Sequence, residues 1–558
     1  MKRALTLAAW LTLVLSFLAA QHKTQSVTAG PIRFENVAGR SGVRFTLNNS
    51  RSPQKHQIET MISGVAALDY DNDGWPDLYF VNGATIPGLE KSGPGFWNRL
   101  FHNNRDGSFT DVTVKAGVQG TGFGMGVAVG DYDNDGFEDL YLPGVNRNQL
   151  LHNNGDGTFT DVTAKAGLSG IDSTGYKPWS IGAGWFDFDN DGHLDLLVVN
   201  YVKWTAANEP VCKVNEIRAY CAPDSYEGLP NRLYHNNGDG TFTDVTERSG
   251  FGKLVGKGMA AAFADYDGDG FTDVFISNDT FRNFLFHNNG DGTFTEVGIR
   301  AGVAYNEDGK SIAGMGADFR DIDNDGRPDI FVVGMIGDTF PLFLNRGRDF
   351  VDTTSRSGVA RVSRGHTAWG NGIFDFDNDC WKDLFTSNAS ILDNSEEIDR
   401  LPSKLPNSVF RQATPGRFED VSVGAGPSFQ APQAHRGVAF ADLDNDGKID
   451  VVVANQNAAP EVFLNRSSND NHWLSLRLTG TRSNRDGLGA RVEVTTAGGT
   501  QFNHATTAVG LSSASDRRVH FGLGRNRQAE RIEIRWPSGV RQVLERVAAD
   551  RVLEAREP

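Results

Sequence analysis

Basic charge is what this chain most lacks. Against 70 Asp and Glu stand 54 Lys and Arg, a formal charge of −16, so no basic face is on offer to phosphates and nucleic acid is excluded as a partner. Long apolar runs are equally scarce: beyond the N-terminal run from Ala4 to Ala20, no stretch approaches membrane-spanning length. Local catalytic signatures are missing too, with no G-x-S-x-G elbow, H-E-x-x-H helix or Walker glycine loop. Cysteine occurs three times, as Cys212, Cys221 and Cys380.

The single apolar run follows Lys2 and Arg3 and ends in small residues, the pattern of a secretory signal over residues 1–20 cut near Ala19 or Ala20. No cysteine follows it, so no lipid anchor is expected. The expectation is a secreted chain, periplasmic or extracellular, with no integral membrane segment once the signal is removed. Residues 21–31 read as a linker. In an exporting route Cys212 and Cys221 are expected to bridge, two buried thiols being the alternative, with Cys380 left over.

What is abundant is glycine (64), phenylalanine (36) and a repeat. DYDNDGWPD (69–77), DYDNDGFED (131–139), DFDNDGHLD (187–195), DYDGDGFTD (265–273), DIDNDGRPD (321–329), DFDNDCWKD (375–383) and DLDNDGKID (442–450) make seven copies spaced by 54 to 78 residues. NRLFHNNRDGSFTDVT (98–113) and its relatives at 148–163, 231–246 and 283–298 interleave with them, followed by degraded versions at 343–354 and 410–422. Each unit reads as four strands, with a Gly- and Ala-rich first strand and an Asn-Asn-Gly-Asp-Gly hairpin turn before the last. The expected fold is all-β: a seven-bladed β-propeller of four-stranded blades over residues 32–470, then a small all-β module over 471–558. Phe34-Glu-Asn-Val-Ala38 has the last-strand pattern without a blade of its own, whereas the seventh loop lacks such a strand, so the N-terminal strand is expected to close the ring.

The loops supply carboxylates at positions 1, 3, 5 and 9, with glycine at 6 for the sharp turn. The ligands expected for calcium are Asp69, Asp71, Asp73 and Asp77; Asp131, Asp133, Asp135 and Asp139; Asp187, Asp189, Asp191 and Asp195; Asp265, Asp267, Asp269 and Asp273; Asp321, Asp323, Asp325 and Asp329; Asp375, Asp377, Asp379 and Asp383; and Asp442, Asp444, Asp446 and Asp450. They are 28 of the 70 acidic residues, so up to seven structural Ca2+ ions would neutralise most of the excess charge. The pattern starts like an EF-hand loop, but no Glu follows at position 12 and strands flank it. Solvated turns are the alternative for one copy. In the sixth loop Cys380 replaces the glycine, at a cost of roughly 1 kcal/mol if that position needs a positive φ. His102, His152, His235 and His287 precede the Asn-Asn turns at equivalent places and are expected to form hydrogen bonds within their own blades. His366, His435, His504 and His520 have no recognisable partner in the sequence.

These repeats resemble the FG-GAP/VCBS repeats of integrin-α-type propellers. SNRDGLGARVEV (483–494), HFGLG (520–524) and EIRWPSG (533–539) resemble the ASPIC/UnbV domain of the cartilage acidic protein-like family. The resemblance implies a secreted calcium-binding protein and no established reaction. In a four-stranded meander the aspartate loops share one end, and the insertions at 84–97, 203–230 and 390–406 share the other, as ligand-binding loops or as a plain cap. A monomeric adhesion or ligand-binding module for an extracellular protein or glycan is expected, not an enzyme. The alternative is a polysaccharide lyase or glycosidase on the same scaffold.

Overall fold

The computed structural model describes residues 30–171 and 175–558. The expected signal over 1–20, and all but the last two residues of the linker, lie outside the described residues.

Seven meanders follow one another. The first runs through Val65–Leu68, Asp77–Phe80, Arg99–Asn103 and Phe109–Asp111. The seventh runs through His435–Ala441, Asp450–Asn455 and Glu461–Asn465, and its fourth strand is Phe34–Asn36, antiparallel with Phe34 opposite Asn465. Second strands such as Asp195–Asn200 (DLLVVN) are buried at every residue, because a neighbouring sheet covers each face. Each first strand lies against the first strand of the next sheet, and the seventh lies against the first. That approach explains the glycines there: a Cβ on Gly437 would meet the Ser63 carbonyl oxygen at 1.9 Å.

One feature differs from the sequence reading. After the last strand of a repeat the chain makes a single helical turn, as at Thr113–Ala116 and Thr163–Ala166, which ends on Gly117 (φ 74°) or Gly167 (φ 79°). The D-V-T signature builds it: the Asp111 side chain accepts from the Thr113 amide, and Thr113 Oγ1 accepts from the Leu100 amide, both at 3.0 Å.

The C-terminal module holds two sheets, one containing His472–Thr479 and the other Arg491–Thr496. It sits on the aspartate-loop end. From it residues 507–516 reach in among the first strands. Gly510 N donates to Ala317 O at 3.0 Å, Ser512 O accepts from Val127 at 3.0 Å, Ala514 pairs with Ala66, and Asp516 N donates to Phe440 O at 3.1 Å. A Cβ on Gly126 would lie 2.8 Å from Ser512 O, so glycine there makes room for this hairpin. At the opposite end the insertions at 203–230 and 390–406 meet each other and the segment before the first strand: Asn394 Nδ2 donates to Arg218 O (3.0 Å), Tyr220 OH to Glu59 (3.0 Å), and Lys55 to Asp393 (2.6 Å). Cys212 and Cys221 are joined, with Cα atoms 5.2 Å apart, and Cys380 is free.

Candidate metal centres

Each aspartate loop is wound by its own carboxylates. In the first, Asp69 accepts from the amides of Asp73 (2.9 Å) and Gly74 (3.0 Å), and Asp73 from that of Trp75 (2.9 Å). Asp77 accepts from Tyr70 (3.3 Å) and, across the hairpin, from Asn103 (2.7 Å). The position-3 aspartate takes little part in this, only Asp267 accepting a loop amide, that of Asp269 at 3.3 Å. Oδ1 of Asp71, Asp189, Asp323, Asp377 and Asp444 is buried with no hydrogen-bond partner.

The glycine requirement at position 6 is real. Gly74, Gly136, Gly192, Gly270, Gly326 and Gly447 have φ between 85° and 98°, and Cys380 is held at 83°. Position 4 is also left-handed, with φ of 52–60° at Asn72, Asn134, Asn190, Asn324, Asn378 and Asn445, a conformation asparagine tolerates best among side-chain-bearing residues.

The four histidines join these loops. His102 Nδ1 lies 3.2 Å from Asp71 Oδ2 and 3.4 Å from Asp77 Oδ1, and His152, His235 and His287 repeat the placement against Asp133 and Asp139, Asp189 and Asp195, and Asp267 and Asp273. All four Nδ1 atoms are buried without a well-formed hydrogen bond. As expected from the sequence, each of these side chains keeps to its own repeat, where it is aimed at two loop carboxylates. Asp71, Asp73 and His102 each bring one ligand atom to within 4.8 Å of the others, as do the matching residues of the next three loops and Asp69, Asp71 and Asp77.

Electrostatics mark the loops as short of positive charge. Burial pushes Asp77, Asp139, Asp195 and Asp273 up to about 7, with the histidine contact pulling the other way. Burial and neighbouring carboxylates push Asp187 up to about 8, and drive Asp329, Asp375, Asp383 and Asp450 well above the usual range. His102 is raised, first by its close contact with the Asp77 carboxylate. Unpaired carboxylate oxygens crowded at this density fit a hard divalent cation.

Two residue sets were invisible in the sequence. The asparagine after each of the four histidines, and Asn345, Gln412 and Asn465 at the same place in the other three sheets, link loops: Asn103 Nδ2 donates to Leu443 O, Asn153 to Tyr70 O, Asn236 to Tyr132 O, Asn288 to Phe188 O, Asn345 to Tyr266 O, Gln412 to Ile322 O and Asn465 to Phe376 O, at 2.7–3.0 Å. The position-4 asparagines do likewise toward the next loop, from Asn72 to Gly136 O (2.7 Å) and on to Asn445, which reaches Gly74 O (3.1 Å). Only the fourth loop has glycine there, Gly268, and Arg491 of the C-terminal module supplies the missing donor to Gly326 O at 2.8 Å. Arg477 and Arg518 bind the Asn72 and Asn445 side chains at 2.8 and 2.7 Å. The Asn-Asn turns were the one legible signal; the arginines had none.

Comparison with known proteins agrees with this geometry. The FG-GAP-like repeat matches residues 69–142, 142–198, 220–276, 265–332, 321–386 and 391–453, and ASPIC and UnbV matches 480–558. Cartilage acidic protein 1 of Homo sapiens is 27% identical over 307 residues, 53% of this chain and 43% of that protein. The Mus musculus protein is 25% identical over 497 residues, 85% of this chain and 70% of its own length. The human match thus spans less than half of that relative. Among solved structures, a lectin of Agrocybe aegerita has a TM-score of 0.40 at 16% identity, covering 72% of this chain and 89% of its own. A rhamnogalacturonan lyase of Bacillus licheniformis has 0.28 at 11%, covering 75% and 91%. Scores this low leave both likenesses without weight for activity.

Proposed function

We propose that this chain, which belongs to the FG-GAP-like repeat family and carries an ASPIC and UnbV domain, is an exported, calcium-stabilised seven-bladed β-propeller that binds an extracellular protein or glycan without turning it over. The propeller reading is supported by seven successive meanders, by Phe34–Asn36 completing the seventh, and by the asparagine links that run from the seventh loop to the first. The calcium reading is carried by one observation: in the first and third loops the position-3 aspartate keeps a buried Oδ1 without a hydrogen-bond partner, while the histidine Nδ1 beside it lies 3.2–3.5 Å from its other oxygen. Positions 1, 3, 5 and 9 would hold the ion, which supplies the charge that lets these carboxylates stay ionised when buried. With no ion, the same loops would melt first.

Binding is assigned to the end opposite the loops. The space between the first strands, where a propeller enzyme would keep its chemistry, holds residues 507–516 instead. The disulfide-closed hairpin at the far end leaves Val211 and Val214 exposed among the described residues. Among the described residues no helix is long and apolar enough to cross a membrane.

The test has two arms. Excess chelator should lower the melting temperature by many degrees, since each ion bound only by the native state stabilises it by mass action. Shortening 203–230 should abolish retention on a glycan and protein array while leaving that calcium dependence intact. New reducing ends or unsaturated sugars from polysaccharides incubated with the protein would defeat the non-catalytic reading.

A further inference from the structure

The seven loops are not alike at the position that faces the ion. On the third strand of each sheet, the residue before the linking asparagine or glutamine is His102, His152, His235, His287, Leu344, Arg411 and Leu464 in turn. Only the sixth blade has a permanent cation there. Arg411 Nε lies 2.6 Å from Asp377 Oδ2, the oxygen whose counterpart in the first loop, Asp71 Oδ2, faces His102. Arg411 Nη2 is ion-paired with Asp379 Oδ2. One guanidinium thus bridges loop positions 3 and 5, while Asp377 Oδ1 stays unpartnered as Asp71 Oδ1 does. The arginines near other loops reach them differently: Arg105 and Arg327 pair with position 5 alone, Asp73 at 2.7 Å and Asp325 at 2.8 Å, and Arg346 and Arg466 start two residues later in the strand than Arg411 does. These last two come within 3.8 and 2.9 Å of the position-3 aspartate but only 3.9 Å of position 5. The sixth loop is also the one whose position-6 glycine is replaced, by Cys380 at φ 83°.

We infer that the sixth loop takes no divalent ion, because the Arg411 guanidinium is its resident cation. This rests on the calcium reading of the other loops. A guanidinium presents a planar fork that matches two carboxylates at once and carries its charge at any calcium concentration. A bound divalent ion would have to displace it, leaving a half-buried arginine beside an ion of the same sign. The sixth loop therefore keeps a positive charge against positions 3 and 5 when calcium is withdrawn, and its winding there does not wait for metal.

Native mass spectrometry of the full chain in Ca2+ tests this by counting ions. The double variant Arg411→His with Cys380→Gly, which restores the residues of the first loops, should hold one ion more than the wild type. In the wild-type background Asp133→Asn should lower the count by one and Asp377→Asn should not, a comparison that stands even if the double variant fails to fold. An equal count in the double variant, checked as folded by circular dichroism, would overturn the inference. A loss of one ion in Asp377→Asn would do the same. A wild type with no bound calcium would overturn the parent reading, and the contrast between loops with it.

Discussion

Charge crowding at single residues ties the stability of the aspartate loops to pH. Burial lifts Asp77, Asp139, Asp195 and Asp273 from 3.8 to about 7, so without an ion the native state holds these protons more tightly than the unfolded chain does. A raised carboxyl pKa means stability is lost as pH climbs from about 4 through 7. The raised histidines, such as His102, add to the same trend. In chelator the protein should therefore melt higher at pH 5 than at pH 8, and added calcium should raise the melting temperature more at pH 8. Scanning calorimetry giving the reverse order would remove the charge account. A second residue-level expectation concerns the gap at Gly268. Arg491→Ala removes the donor that reaches Gly326 O and should cost about 1 kcal/mol by denaturant midpoint, the scale of one partly exposed hydrogen bond. Adding Gly268→Asn, at φ 79°, should restore the loss, because asparagine at that place serves six other loops. Failure of the rescue would mean that Arg491 acts through another contact.

At the scale of elements, the N-terminal strand matters out of proportion to its three residues. Phe34 stacks on Phe429 with ring centroids 5.3 Å apart and meets Phe376 edge-on at 5.6 Å, so it fills the core between the sixth and seventh sheets. Phe34→Ala should cost about 3–5 kcal/mol, as for other buried phenylalanines. Deleting residues 34–38 should also expose a strand edge and bring aggregation, read by light scattering. A chain starting at Gly64 that melts like the full one would end the closure account. The one-turn helices after the fourth strands are too short to leave a periodic trace, and the conformation follows from the D-V-T side chains and a left-handed glycine.

Across the whole molecule the C-terminal module works as an axle. Residues 507–516 bond to the first strands of four sheets, at Ala66, Val127, Ala317 and Phe440, and Arg477, Arg491 and Arg518 grip the loop rim. Ending the chain at residue 470 should lower the melting temperature by several degrees and broaden the transition, since sheets that met one shared hairpin would then open separately. Calorimetry of the two lengths decides it; superimposable curves would show that the hairpin only fills space.

Seven loops, their aspartates and the four-stranded period were determined by the sequence alone, because each is a local pattern repeated often enough to stand above chance. DYDNDGWPD carries its four aspartates, its left-handed asparagine and its turn glycine within nine residues. Only the tertiary structure decided which groups face those aspartates. His102 is 31 residues from Asp71, Asn445 is 371 from Gly74, and Arg491 is 165 from Gly326, and no local pattern records a contact made across a sheet or between sheets. The place of residues 507–516 was decided there too. Small and hydroxyl side chains such as Gly510, Ser512 and Ser513 read as a loop until the first strands, lined by glycines like Gly126 and Gly437, leave a space only such residues can enter.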